Sequence, residues 1–158
     1  MSTRITLTVN GEKITGDVEP RTHLADFLRD QLRLTSIHLG CEHGVCGACT
    51  ILVDGEPARS CIALAATMDG AEITTLEGMK DDALIQRLKD SFHEEHGLQC
   101  GFCTPGMLVS SWDLLTRKGK VDEKTIRCDM SGNLCRCTGY QGIVRSIKAV
   151  ADTLPEKK

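Results

Sequence analysis

The sequence predicts an α+β fold in two domains, a small mixed sheet with one helix over residues 1–78 and a helical domain over residues 79–158. In the first part, apolar residues alternate with polar ones, which is the period of a half-buried strand. From about Asp81 onward they recur at helical spacing. A cysteine- and glycine-rich stretch, residues 40–49, lies within the first part.

The chain begins with a predicted β-hairpin. Ile5, Leu7 and Val9 alternate with polar residues, and the pair Asn10-Gly11 follows directly. Asn-Gly favours the two-residue turn that joins antiparallel strands because both positions tolerate positive φ. The second strand continues through Ile14 and Val18.

One helix and three more strands complete the first domain. Thr22 is expected to cap a helix whose apolar positions, Leu24, Phe27, Leu28 and Leu32, should cover the sheet. Strands are predicted over residues 50–53, just after the turn Asp54-Gly55, and over residues 72–76.

The second domain is predicted to be a four-helix bundle. The first two helices carry the apolar stripes Leu84, Ile85, Leu88, Phe92 and Met107, Leu108, Trp112, Leu115. Asp122 opens a short third helix, and the fourth runs from Gln141 to Leu154. We interpret Trp112 as a packing residue.

Composition excludes several classes of function. The net charge of −3 provides no basic surface for nucleic acid, and no apolar run is long enough to span a membrane. The start of the chain resembles neither a signal peptide nor an anchor, so we expect a cytoplasmic protein. Nine cysteines in a reducing compartment indicate metal ligands rather than disulfides.

Cys41, Cys46, Cys49 and Cys61 have the spacing C-x4-C-x2-C-x11-C. The first three match the spacing of plant-type [2Fe–2S] ferredoxins. Glycines 40, 44 and 47 would let backbone N–H groups approach the cluster. Zinc stays open as a weaker alternative, since Cys41-x4-Cys46 is not a zinc knuckle. A disulfide pair is disfavoured by the compartment, and a Rieske centre would need a histidine where Cys49 stands. His43 is interpreted as a solvated loop residue.

A second set, Cys100, Cys103, Cys135 and Cys137, forms two close pairs that are 31 residues apart. These cysteines provide four thiolates for another [2Fe–2S] cluster, with zinc again the alternative. Thr104-Pro105 predicts a helix that starts with Thr104 as the N-cap and points its N-terminus at the site. The partial positive charge of that helix end would stabilise an anionic cluster.

Three stretches resemble the small iron–sulfur subunit of the xanthine oxidase family of molybdenum hydroxylases. They are residues 40–50 (GCEHGVCGACT), 99–106 (QCGFCTPG) and 132–140 (GNLCRCTGY). Residues 92–106 and 132–144 are especially similar to small subunits of carbon monoxide dehydrogenase-type enzymes. The resemblance spans nearly the whole chain and implies a plant-type ferredoxin-like β-grasp domain followed by a four-helix domain, with one [2Fe–2S] cluster in each.

The resemblance also implies partners. In bacterial members the small subunit joins a large subunit with molybdenum bound to molybdopterin cytosine dinucleotide and a medium subunit with FAD, often as a dimer of heterotrimers. The second cluster would lie beside the molybdenum cofactor, with Gln99 and Cys137 near the pterin, and the first cluster nearer the flavin. Electrons would pass in that order. Helix-end capping is the alternative role for Gln99.

The sequence departs from the family pattern at two places. Residues 36–38 (SIH) replace a more common Gly-Thr-Lys-like stretch, and Cys128 is a ninth thiol, interpreted as a small buried residue. His93 and His96 lack the zincin spacing and are expected on a solvated face. The residues suggest no catalytic site, so substrate chemistry is expected on another chain. Two alternatives to the subunit are a free-standing ferredoxin and a zinc-stabilised interaction module.

Overall fold

Five strands form one mixed sheet in the first half of the chain, whose computed structural model describes residues 2–157. They are β1 (Thr3–Val9), β2 (Glu12–Val18), β3 (Thr50–Val53), β4 (Glu56–Arg59) and β5 (Glu72–Thr74). The order is β2-β1-β5-β3-β4. β1 and β5 are parallel, and the other neighbouring pairs are antiparallel. The α+β class is therefore confirmed, with β5 two residues shorter than predicted.

The predicted β1–β2 hairpin is confirmed. Asn10 has φ of 51° and Gly11 has φ of 83°, so both turn residues are left-handed, as a two-residue turn of this kind requires. Ile5, Leu7 and Val9 are buried on the face of β1 that packs against the domain core.

The first helix covers the sheet as predicted, but its start and type differ. α1 (Leu24–Asp26) continues as a π-helix over Phe27–Gln31. The prediction that Thr22 is the N-cap is wrong, because His23 holds that position and its side chain makes no capping bond. The Thr22 carbonyl accepts a hydrogen bond from the N–H of Ala65 at 2.9 Å, which keeps this stretch extended beside the 3₁₀ turn Ala65–Thr67.

Four α-helices occupy the second half of the described chain: α2 (Ala83–Glu94), α3 (Thr104–Lys118), α4 (Glu123–Asp129) and α5 (Gln141–Ala151). Asp82 caps α2 and Asp122 caps α4, each accepting a hydrogen bond from a backbone N–H three residues on. α5 ends at Ala151 instead of Leu154, since the following residues form tight turns onto Val150 and Ala151. Within residues 2–157 no helix has the length and apolar character needed to cross a membrane.

The start of α3 corrects a second predicted cap. Cys103 occupies the N-cap position, so Thr104 is the first helical residue and Pro105 the second. The N–H of Thr104 donates to the carbonyl of Gly101 at 3.2 Å, and this tight turn starts helix-like backbone one residue earlier than the sequence indicated.

Two hydrophobic cores are present, one under the sheet and one among the helices. The sheet core contains Phe27, which lies against Gly16, and the helical core contains the stripes predicted for α2 and α3. Leu52 of β3 is buried in the helical core, so the two halves of the chain share apolar contacts.

A close backbone contact joins the halves; we call residues 46–48, 104–106 and 132–134 the interdomain seam. A Cβ atom on Gly106 would lie 2.2 Å from the carbonyl oxygen of Gly47, and one on Gly47 would lie 2.6 Å from that of Gly132. Real Cβ atoms do not approach backbone oxygens so closely, so the seam requires glycine at both positions.

We predict that Gly106→Ala lowers stability, although Gly→Ala inside a helix normally raises it by about 0.5–1 kcal/mol. The added methyl group must push the backbone of residue 47 away, at a cost of about 1–3 kcal/mol. Thermal unfolding of the metal-loaded chain measures the change. Ser110→Ala, a half-buried site on the same helix, is the control and should stay within about 0.5 kcal/mol. A Gly106→Ala variant as stable as the control would contradict the role of the seam.

Candidate metal centres

The first four thiols come together beside the sheet. Cys41, Cys46 and Cys49 lie in the loop between the π-helix and β3, and Cys61 lies on the 3₁₀ turn Ser60–Ile62 that follows β4. Cys49 and Cys61 are buried, whereas Cys41 and Cys46 are half-buried. The N–H of Cys46 donates to the Cys41 sulfur at 3.3 Å.

The loop achieves this arrangement with left-handed residues. Gly44 and Gly47 have φ of 81° and 76°, as the glycine pattern suggested. A Cβ on Gly40 would lie 3.2 Å from the Cys46 sulfur, so this glycine permits a close approach rather than a left-handed turn. Glu42 is also left-handed, at φ 56°, which no feature of the sequence predicted.

Hydrogen bonding and burial act oppositely on the thiols of this set. The backbone N–H of His43, followed by that of Cys46, donates to Cys41 and lowers the pKa of that thiol to about 6. Burial, followed by a hydrogen bond with Cys49, raises the pKa of Cys61 to about 12. The hydrogen-bond contacts therefore pair Cys41 with Cys46 and Cys49 with Cys61.

The second four thiols lie among the helix ends. Cys100 and Cys103 occupy the loop that leads into α3, and Cys135 and Cys137 lie in the loop before α5. The sulfurs of Cys100 and Cys137 are 3.4 Å apart. The Thr138 hydroxyl donates to the Cys135 sulfur at 3.2 Å, and the Cys135 N–H donates to the Tyr140 hydroxyl at 3.0 Å.

These thiols also form two pairs with opposed pKa shifts. The N–H of Phe102 and then the Cys137 thiol lower the pKa of Cys100, while the hydrogen bond with Cys100 raises the pKa of Cys137. Burial and then the contact with Cys135 raise the pKa of Cys103 to about 12. Burial acts to raise the pKa of Cys135, but hydrogen bonds, the strongest from the Thr138 hydroxyl, together outweigh it, and the pKa of Cys135 is lowered.

Pairing distinguishes these sets from a site for one ion. Within residues 2–157, no three cysteine, histidine or acidic side chains are grouped so that they could hold a single metal ion. Tetrahedral zinc needs four ligands around one point, whereas a two-iron core takes one pair of thiolates on each iron. The paired thiols of each set match the arrangement that a two-iron core takes.

Cys128 lies on α4 as predicted but is exposed, so the interpretation of a buried thiol is wrong. The buried face of this short helix is taken by Ile126. His43, His93 and His96 are exposed, as expected. His93 is on α2, whereas His96 lies beyond its end with φ of 54°. Trp112 packs against the helical core.

Two features around the thiols were not found from the sequence. The Nδ1 atom of His38 lies 2.6 Å from the carbonyl oxygen of Phe102, and the two rings stack with centroids 4.7 Å apart. His38 stood out only as a departure from the family pattern. In addition, large apolar side chains are exposed near both sets: Val45, Ile62, Leu64, Leu98, Phe102 and Leu134.

Known domain families match both halves of the chain. A 2Fe-2S iron-sulfur cluster binding domain matches residues 7–86, and a [2Fe-2S] binding domain matches residues 75–148. The chain is 57% identical over 152 residues to the gamma subunit of caffeine dehydrogenase from Pseudomonas sp. (strain CBB1), with 94% of this chain and 91% of the relative covered. It is 44% identical over 140 residues to a probable subunit of xanthine dehydrogenase from Bacillus subtilis, with 89% and 80% covered.

The chain belongs to the small iron–sulfur subunits of the xanthine oxidase family of molybdenum hydroxylases.

Solved structures agree with this assignment of the small subunit. The chain matches one chain of quinoline 2-oxidoreductase from Pseudomonas putida 86 with a TM-score of 0.89 and 48% identity. The match covers 96% of this chain and 94% of that chain. It also matches aldehyde oxidoreductase from Desulfovibrio desulfuricans with a TM-score of 0.85 and 38% identity, covering 94% of this chain but 17% of that longer chain. The small subunit is thus the electron-transfer part of an oxidoreductase complex, rather than a free-standing ferredoxin or a zinc-stabilised module.

Proposed function

We propose that this small subunit relays electrons from a molybdenum cofactor in a large subunit to FAD in a medium subunit. The observation that carries the proposal is that the two four-thiol sets meet at the seam, where the backbone of Cys46 is hydrogen-bonded to that of Leu134, the neighbour of Cys135. Two redox groups held this close within one chain suit a relay between partner cofactors. In this proposal the chain supplies the path for electrons, and the chemistry on the substrate takes place on the large subunit.

The proposed ligands are Cys41, Cys46, Cys49 and Cys61 for the first [2Fe–2S] cluster and Cys100, Cys103, Cys135 and Cys137 for the second. An orphaned polar atom supports the fit. The Thr104 hydroxyl, next to Cys103, is buried without a hydrogen-bond partner, a state that costs about 1–3 kcal/mol. A sulfur of a bound cluster would supply the missing acceptor.

A [2Fe–2S] cluster supplies a site that accepts and returns one electron at a time. The protein's part is to hold the thiolates and to tune the potential through hydrogen bonds to sulfur. The N–H of Cys46 donates to Cys41 and the Thr138 hydroxyl donates to Cys135. Donors to sulfur stabilise the more negative, reduced state, so each raises the reduction potential.

We infer that the second set faces the large subunit with its molybdopterin cytosine dinucleotide. Cys100 and Cys137 are exposed, and so is Gln99 beside them, which suits a role for Gln99 and Cys137 near the pterin. Leu98, Phe102 and Leu134 are also exposed on the loops of this set and would form apolar contacts there.

The first set would face the medium FAD subunit. Ile62 is 62% exposed and lies over the first loop, 3.0 Å from where a Cβ on Gly44 would be. Val45 and Leu64 extend the apolar surface. A dimer of such heterotrimers in the cytoplasm, where thiols stay reduced, completes the proposed assembly.

At the level of fold, we propose a ferredoxin-like β-grasp domain over residues 1–78 and a four-helix bundle over residues 79–158. The separate sheet and helical cores support this division. The helical core also takes in Leu52 of β3, so the division is one of architecture rather than of independent folding units.

We further propose that the complex acts on N-heteroaromatic substrates. Among the similar small subunits are those of caffeine dehydrogenase, at 57% identity, and of nicotine 6-hydroxylase from Paenarthrobacter nicotinovorans, at 51% identity over 143 residues with 90% and 86% covered. The substrate site itself would lie on the large subunit.

Affinity purification of this chain, expressed together with its neighbouring genes, tests the relay. We expect molybdenum and FAD to co-purify in fixed ratio and an N-heteroaromatic substrate to reduce the iron–sulfur absorption of the complex. A chain that purifies alone and is reduced by a separate reductase would instead indicate a diffusible ferredoxin. If only aldehydes or carbon monoxide reduce the complex, the proposed substrate class is wrong but the proposed relay still stands.

We predict that Cys61→Ser and Cys135→Ser each remove one cluster while the other stays. Iron and acid-labile sulfide in the purified complex should fall by about half, and one of the two signals in the spin resonance spectrum should vanish. Cys128→Ser is the matched control, because this exposed thiol lies outside both sets, and should keep both signals. Loss of a signal in Cys128→Ser would contradict the ligand assignment.

We predict that Thr104→Val lowers the reduction potential of the second cluster by about 60 mV. This value corresponds to the loss of a hydrogen bond that stabilises the reduced cluster by ~1.4 kcal/mol more than the oxidised cluster, in a one-electron couple. Redox titration followed by spin resonance measures each cluster separately. Thr116→Val, an exposed position on the same helix, should change neither potential. If the reduction potential of the second cluster is unchanged in Thr104→Val, the hydroxyl does not donate to that cluster.

A further inference from the structure

The seam contains hydrogen bonds that connect the two thiol sets. The N–H of Leu134 donates to the carbonyl oxygen of Cys46 at 2.8 Å. Leu134 immediately precedes Cys135, one of the proposed ligands of the second cluster, and Cys46 is a proposed ligand of the first. A single peptide hydrogen bond thus joins the backbones of the two ligand sets.

We propose that this Leu134–Cys46 hydrogen bond is the principal electronic contact between the two clusters. The proposal rests on the ligand sets of the proposed function. One electron is exchanged, so one site is oxidised as the other is reduced. No covalent bond forms or breaks, and no proton needs to move.

Path length favours this bond. From the Cys135 sulfur to the Cys46 sulfur the route crosses about ten covalent bonds and the one hydrogen bond. Electronic coupling falls steeply with each added bond, and it falls faster still across empty space. A short bonded route therefore dominates unless another of similar length exists.

Two other hydrogen bonds link the loops, and both give longer routes. The Asn133 amide donates to the Gly47 carbonyl at 3.3 Å, a route of about eighteen covalent bonds between cysteine sulfurs. The His38 ring meets the Phe102 carbonyl at 2.6 Å, a route of about nineteen from Cys103 to Cys41. Each is nearly twice as long as the route through Leu134.

Neighbouring side chains hold the short bond in place. Arg59 donates to the Gly132 carbonyl at 2.8 Å and to the Asn133 side-chain oxygen at 3.4 Å, and it also donates to the Thr50 hydroxyl. That hydroxyl donates to the Gly47 carbonyl at 2.6 Å. Asn133 is only 3% exposed, so its own side chain is shielded from solvent. Arg59 and Asn133 are thus positioning residues for the peptide contact.

The test compares Leu134→Pro with Leu134→Ala in the whole complex. Proline removes the N–H, whereas alanine keeps it and removes the same exposed side chain. Asn133 is already extended, at φ −120° and ψ 112°, which is compatible with a following proline. His38→Ala is a third variant, because it breaks a longer route and leaves the short one.

The readouts are the rate of electron equilibration between the clusters after rapid one-electron reduction and the spin–spin splitting of the fully reduced complex. We expect Leu134→Pro to slow equilibration by roughly tenfold and to shrink the splitting, because the donor is gone. Leu134→Ala and His38→Ala should keep the equilibration rate and the splitting of the unaltered complex, because both variants retain the N–H of residue 134. Both midpoint potentials are measured in each variant, so that a changed driving force is not mistaken for changed coupling.

Equal rates in Leu134→Pro and Leu134→Ala would overturn the proposal, as would slowing in His38→Ala as large as in Leu134→Pro. Should the proline variant fail to assemble, the α-hydroxy analogue of leucine at position 134 replaces the N–H by oxygen without fixing φ, with the same expected slowing. Absence of the two clusters from the unaltered complex would instead refute the proposed function.

Discussion

The seam between the two halves of the chain is the contact on which the rest of the structure depends. Gly47 and Gly106 let three backbones meet where any side chain would collide. That contact fixes the relative positions of three segments: the loop of the first thiol set, the start of α3 and the segment before Cys135. The relative placement of two redox sites thus follows from packing at two residues without side chains.

The thiols themselves create a second constraint. Burial raises the pKa of Cys61 and of Cys103 to about 12, so neither would ionise near neutral pH without a metal. Iron binding must release those protons, and a bound cluster then neutralises charge that the interior could not hold alone. Cluster binding and native packing are therefore coupled, which suits a chain with few large aromatic side chains in its cores.

Much of the fold and most of the candidate sites could be predicted from the sequence, and the failures have physical causes. Asn10-Gly11 strongly favours one type of hairpin turn. The cysteine spacings are typical of [2Fe–2S] sites and rare in other metal sites. Caps were less certain: Thr22 and Thr104 are good capping residues, yet backbone contacts with Ala65 and Gly101 moved both helix starts by a residue. Cys128 was expected inside because cysteine is usually buried, but Ile126 fills the buried face of that short helix. The stacking of His38 on Phe102 joins residues far apart in sequence and has no local signature.

The methyl-free contact between Gly47 and Gly106 also limits how this protein can be recombined with its relatives. A chimera cut at the border between sheet and helices would pair a loop from one parent with a helix start from another. At that contact the backbones are so close that one additional carbon atom on either glycine would collide with a neighbouring backbone. Residues 46–48, 104–106 and 132–134 must therefore be taken from the same parent, even though they lie far apart in the sequence.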